Sequence, residues 1–531
     1  MSDHGQLFFN GTVRTMDPAC PVAEAAAVRG GKIMAVGAKN TCSPALEKGY
    51  EPVDLRGGAL LPGFIDTHLH PVLLIFFAMN CELGGVVSMM ELQKSLRSAL
   101  LRKSDDSWLV GLNFDEQSLR EKRVPNRHDL DSVSAVRPVV VIKHDGHSVF
   151  ANTPAIEAAG LTASTPDPEA GAIEREEGGY PSGVFRETAL QLVMNSMPMP
   201  AMPSLIESAR STFQRLTSLG ITSAGVVLQT GAEGPAGSVG AFDTAAMQLF
   251  SEHCPLSLYS LLITSSIDEV NGLQNSVLNA GPNRLGGVKF YADGTFGSST
   301  AYMQAPFSDN PQIRGMLMNP PDELYRRMVA AHNEGWQVCI HAIGDAANRL
   351  CVELYARLFE EFPRTGRRHR IEHASIMDEQ VIKQMAKLGI VISTQPMFIH
   401  SEKDWLPRRL GTERCKTVYP FRSFLDAGIK VAGASDAPIE SQDVLQAIEC
   451  CVTREGFEPH QCISVEEAFR MYTLDAAYAQ FEEGIKGSIT AGKRADLVIM
   501  DKDPFKTKPD AIKDIKIIRT VIAGETVHSA T

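Results

Sequence analysis

Several familiar signatures are missing from this 531-residue chain. No two cysteines form a Cys-x-x-C pair, and the ten present are scattered, with one adjacent pair at Cys450-Cys451. That usage excludes a disulfide framework and a thiolate zinc knuckle, and it suits reduced thiols in the cytoplasm. A basic excess is also lacking: 51 Lys and Arg stand against 63 Asp and Glu, for a net charge of −12. Nucleic acid or an anionic membrane would require the opposite sign. The longest uncharged apolar run, residues 71–78, is far too short to span a bilayer. Met1-Ser2-Asp3-His4-Gly5 shows no basic segment leading into an apolar one, so no secretory leader is expected. There is no Gly-x-Ser-x-Gly nucleophile elbow, which argues against a serine hydrolase. The polar stretch 294–300 lacks the Gly-Lys-Ser ending of a phosphate loop.

What is present is an apolar content of 44% with 21% charged residues, enough for an ample core. Apolar strand signals fall at 60–70, 220–227, 256–262, 286–293, 337–341, 370–373, 390–394 and 430–435. Amphipathic helical stretches at 204–219, 322–334, 346–362 and 378–388 alternate with them. Eight such strands predict an α/β fold, a (β/α)8 TIM-type barrel. The first two strand signals lie too far apart for one crossover helix, so residues 80–200 are expected to form an inserted subdomain capping the barrel mouth. The barrel proper then takes residues 59–79 and 201–484. Short strands with Gly-rich turns at both ends predict a small β domain built from residues 1–58 and 485–531.

The chemistry-bearing residues cluster at the C-terminal ends of the predicted strands, where barrel enzymes place their sites. His68 and His70 are two apart on the first strand and so share a face. Lys289 lies within the fourth strand signal, His341 ends the fifth, His373 the sixth, and Asp436 follows the eighth. Any one of these alone is equally consistent with a satisfied core group. Four histidines, a lysine and an aspartate converging at one end of a barrel point instead to a divalent metal, with zinc suited to the neutral imidazoles.

The ligand order over strands one, four, five, six and eight resembles the amidohydrolase superfamily. The flanking stretches 61–70, 145–148, 341–345, 435–438 and 487–498 resemble its amidohydrolase-3 branch, the group around N-substituted formamide deformylase. The resemblance implies metal ligation by His68, His70, Lys289, His341, His373 and Asp436. It also implies that Lys289 is carboxylated and bridges two ions; an uncoordinated lysine pairing with Asp293 or a substrate carboxylate is the alternative. Asp436 is then the general base and His373 a second catalytic group, polarising the carbonyl or holding substrate. In this branch the segment around His144 and His147 approaches the active site, so these two and Asp293 are expected to bind substrate; a structural turn is the alternative for that segment.

The expected function is a metal-dependent hydrolase cleaving a non-peptide C–N bond, in the first place a linear N-acyl or N-formyl amide. Hydrolysis of a cyclic amide or amidine, or an isomerisation or decarboxylation on the same scaffold, is the enzymatic alternative. A barrel that has lost catalysis and serves as a scaffold is the non-enzymatic one. The expected partner is a small-molecule amide, without nucleic acid or membrane; a homodimer is carried as the assembly, although no residue specifies it.

Overall fold

The structure, a computed structural model, describes residues 5–42, 49–102, 107–143, 148–168, 171–198, 200–231 and 240–530, with Gln117 as backbone only. The chain divides into two compact units, one formed by residues 1–72 with 210–531 and the other by residues 73–209.

The larger unit contains an eight-stranded parallel sheet. Its strands are β1 (Phe64–Leu69), β2 (Ile221–Gln229), β3 (Ser257–Ile263), β4 (Arg284–Tyr291), β5 (Gln337–Ala342), β6 (Arg370–His373), β7 (Val391–Thr394) and β8 (Val431–Gly433). They stand in chain order from β1 to β8. Leu69, the last residue of β1, and Ala437, just beyond β8, form a parallel bridge that nearly closes the sheet into a TIM-type barrel. The strands read as continuous apolar runs because both faces are covered, and every residue of β1, β2, β3, β5, β6, β7 and β8 is buried. Helices Pro321–Asn333, Asp345–Glu361 and Glu379–Leu388 each return the chain to the start of the next strand. Asp378 caps the last of them by accepting from the Val381 N–H, and Gly389 ends it in the left-handed region at φ 66°.

The single strand expected at 60–70 is in fact two. Ala59–Pro62 runs antiparallel to Leu497–Met500 in another sheet, while β1 pairs with β2. The chain switches sheets at Gly63, where a Cβ would lie 2.3 Å from the Thr222 side chain. That second sheet has six strands: Glu525–Ser529, Ile517–Ile522, Leu497–Met500, Ala59–Pro62, Thr12–Arg14 and Val22–Ala23. A four-stranded sheet of Lys32–Gly37, Ala25–Arg29, Gln6–Phe9 and Glu51–Asp54 packs with it around Phe8, Val13, Leu60, Leu497 and Val521.

The smaller unit is built on a mixed six-stranded sheet from Cys81–Glu82 to Gly171–Arg175. Strict alternation sends Leu109, Val139, Val141 and Phe150 to one core, under helix Met89–Arg102, and Val110, Val140, Val149 and Ala151 to another. Among the described residues no helix is long and apolar enough to cross a membrane.

Candidate metal centre

Barrel closure assembles the first half of the site. Asp66, buried in β1, accepts from the backbone N–H of His68 and of Ser435, both at 3.1 Å. Burial pushes its carboxyl up to about 6. The Asp436 N–H donates to the His68 carbonyl at 2.8 Å, and the His70 N–H to the Ala437 carbonyl at 2.8 Å. These contacts lock β1 to the loop after β8, 366 positions away, and set Asp436 Oδ1 at 3.1 Å from His70 Nε2 and 3.3 Å from His68 Nε2. Ligand atoms of His68, His70 and Asp436 all lie within 4.8 Å of one another. Burial opposes the Asp436 charge, but the three imidazoles of His68, His70 and His373 outweigh it and hold the carboxyl below its usual range.

The other half comes from β4, β5 and β6. The ring of His373 lies 5.3 Å from that of His68 and 4.4 Å from that of His341. His373 sits at φ 72° and Asp436 at φ 58°, conformations that cost non-glycine residues about 1–3 kcal/mol and concentrate at functional sites. Burial, reinforced by the neighbouring Lys289 charge, pushes His68 down to about 4 and His341 to about 3. Burial and the nearby His341 push His373 far down as well. Neutral imidazoles are the form that ligates metal.

Hydrogen-bond partners fix which nitrogen of each ring is free. His373 Nδ1 donates to Gln395 Oε1 at 2.8 Å, leaving a lone pair on Nε2. His341 Nε2 donates to the Gly294 carbonyl at 3.1 Å, leaving Nδ1. Nζ of Lys289, 1% exposed, has no hydrogen-bond partner, and its ammonium is pushed down to about 8 by burial, against the pull of Glu372 and Asp436. An orphaned buried amine beside three imidazoles and a carboxylate is a donor set that fits a divalent ion.

The remaining predicted residues fall differently. Asp293 is 1% exposed and its carboxylate accepts three backbone N–H groups, from Tyr302, Ile343 and Gly344, at 2.8–3.0 Å. Both oxygens are thus engaged in holding the loops after β4 and β5. His144 and His147 lie outside the described residues. Sequence reasoning missed Asp66, Glu372 and Gln395. Each stands two residues or fewer from a recognised ligand, or at a strand end, with no spacing pattern of its own.

The family model of the amidohydrolase-3 branch, described as the Amidohydrolase family, matches residues 51–528. The chain is 28% identical to the N-substituted formamide deformylase of Arthrobacter pascens over 535 residues, covering 98% of this chain and 97% of that one. It is likewise 28% identical to the putative amidohydrolase YtcJ of Bacillus subtilis, over 90% of each chain. The crystal structure of an uncharacterized metal-dependent hydrolase from Pyrococcus furiosus superposes with a TM-score of 0.76 at 27% identity, covering 94% of this chain and all of that one. The chain therefore belongs to the amidohydrolase family and is a metal-dependent hydrolase.

Proposed function

We propose that this enzyme hydrolyses a linear N-formyl or N-acyl amide, with Asp436 as general base. The observation that carries the reading is the convergence of His68, His70 and Asp436, from opposite ends of the barrel sheet, at ligand distance from one another. A bound divalent ion, zinc by the chemistry of these donors, would supply a water acidic enough to attack at neutral pH and an electrophile for the carbonyl oxygen. His68, His70, His341, His373 and Asp436 would hold it. Lys289 completes the set as a carbamate: its depressed ammonium favours the free amine that carboxylation requires, and its buried Nζ makes no hydrogen bond.

Asp436 receives the proton of the attacking water and passes it to the leaving nitrogen, so that the amine departs neutral. Its carboxyl, held below the usual range, is ionised at neutral pH, the form that can take up a proton. His373 spends its Nδ1 proton on Gln395, which favours a ligand's part over a hydrogen bond to the substrate carbonyl. The deformylase relative at 28% identity supports the formyl end of the substrate range. A small β domain assembled from both chain ends belongs to the same reading, supported by the sheet they share. The free state of all ten cysteines supports a reducing compartment.

The test is turnover of N-formyl amines, N-acyl amines and cyclic amides by zinc-loaded protein, with metal content measured alongside. Turnover of linear formamides is expected. Activity confined to cyclic amides would transfer the reading to the alternative on the same scaffold. Metal far below one ion per chain would reduce the barrel to a scaffold.

A further inference from the structure

The ligand pattern leaves Glu372 without a role, yet its carboxylate is fully buried and touches the first ligand. Glu372 Oε2 lies 2.6 Å from His68 Nδ1. A carboxylate held by a guanidinium is an acceptor only, so Nδ1 carries the proton and the lone pair of His68 stands on Nε2, the atom beside Asp436. Arg370, also fully buried, reaches Glu372 through two bonds, Nε to Oε1 at 2.7 Å and Nη2 to Oε2 at 3.0 Å. The same Nη2 donates to the Thr67 carbonyl at 3.1 Å, tying the pair to the residue before His68.

We infer that Glu372 is a positioning residue: it fixes His68 in the Nδ1–H tautomer and strengthens Nε2 as a metal donor, with Arg370 holding Glu372 in place. This rests on the reading of His68 as a metal ligand. Arg370 and Glu372 cancel each other's charge, so their effect on His68 is directional and adds no net charge to the centre. An ion pair serving only to fill the barrel would be complete with the fork between the two side chains. Here Oε2 makes a further short bond to an imidazole, the arrangement by which carboxylates orient and activate ligating histidines. Glu372 and His373 are adjacent, and regular strand alternation would send them to opposite faces. The left-handed backbone at His373 lets both reach His68.

The experiment measures zinc affinity by chelator competition, and the visible spectrum of the cobalt-substituted protein, for the wild type and three variants. Glu372→Gln removes the charge but strands Arg370, so it is paired with the double variant Arg370→Met with Glu372→Gln, which removes the ion pair as a neutral whole. Zinc affinity about 10–100-fold weaker, with an altered cobalt spectrum, is expected in the double variant. Wild-type affinity and spectrum there would overturn the inference and leave the pair as packing. The third variant, His68→Ala, separates the two levels. Undiminished metal in His68→Ala overturns the proposed function itself, whereas loss of metal in it beside an unaffected double variant overturns only the part given to Glu372.

Discussion

Nε2 of His70 and Oδ1 of Asp436 stand 3.1 Å apart across 366 positions of chain, at the seam where β1 meets β8. Both side chains depend on the backbone bonds of that seam and little on each other's fold, since neither fills a large part of the core. His68→Ala and His70→Ala are therefore expected to lose bound metal and turnover together while keeping the secondary structure of the wild type. Metal content per chain and circular dichroism check this; full metal in both variants would remove the pair from the site.

Asp436→Asn keeps the shape of the side chain and deletes its proton acceptor. Turnover should fall by about 10²–10⁴-fold, with KM changed far less, because the lost interaction belongs to the transition state. A normal kcat would take Asp436 out of the proton path.

Much of the site was legible because a barrel strand is an apolar run, and an ionisable residue inside such a run needs a reason. His68, His341 and His373 stood out in this way. What escaped was set by backbone geometry that the pattern does not encode. The left-handed turn at His373 puts Glu372 and His373 on the same neighbour, where alternation allows only one. Gly63 divides a stretch that reads as one strand, and the Thr222 side chain, remote in sequence, fills the space a Cβ there would need. Asp293 follows the Lys289 strand and reads as a substrate contact, but the N–H groups of the loop after β5 claim its oxygens.

Lys289→Ala removes the only amine among the predicted ligands. If the lysine is carboxylated and bridges two ions, the variant should lose about one metal equivalent and most of its activity. A short carboxylic acid in solution should restore part of both by supplying the missing oxygens. Retention of full metal and indifference to the acid would leave Lys289 an uncoordinated group.

Gly225 in β2 lies against the strand that carries His68. A Cβ there would sit 2.2 Å from the Thr67 carbonyl oxygen, which cannot give way without shifting β1. Gly225→Ala should cost about 1–3 kcal/mol of stability, as overpacking does, and weaken metal binding without touching a ligand. Denaturant unfolding and metal content measured together check both effects; a variant as stable as the wild type would show that β1 has more room than the packing allows.

Two histidines outside the site share a buried hydrogen bond. His332 Nδ1 and His369 Nε2 are 2.8 Å apart, and both residues are fully buried. The Val338 N–H donates to His369 Nδ1 at 3.0 Å, so the proton of His369 is on Nε2 and is given to His332. His332 then carries its own proton on Nε2 and donates it to the Phe362 carbonyl at 2.9 Å. Every nitrogen is used, and only with both rings neutral. Burial, followed by the influence of His332 and Arg367, pushes His369 down to about 3, and burial also lowers His332. The unfolded chain, with histidine near 6.5, binds more protons than the folded one below that pH. Stability from the pair is therefore fully present above about pH 6.5 and is lost as pH falls toward 3, at about 1.4 kcal/mol per pH unit for each proton taken up on unfolding. A variant with both residues changed to Gln should melt below the wild type at pH 8, and the gap should narrow steadily at pH 6 and pH 5. Comparing the two proteins at each pH cancels the titration of the metal centre, which they share. A gap that stays constant across this range would mean that the pair does not titrate between the folded and unfolded states.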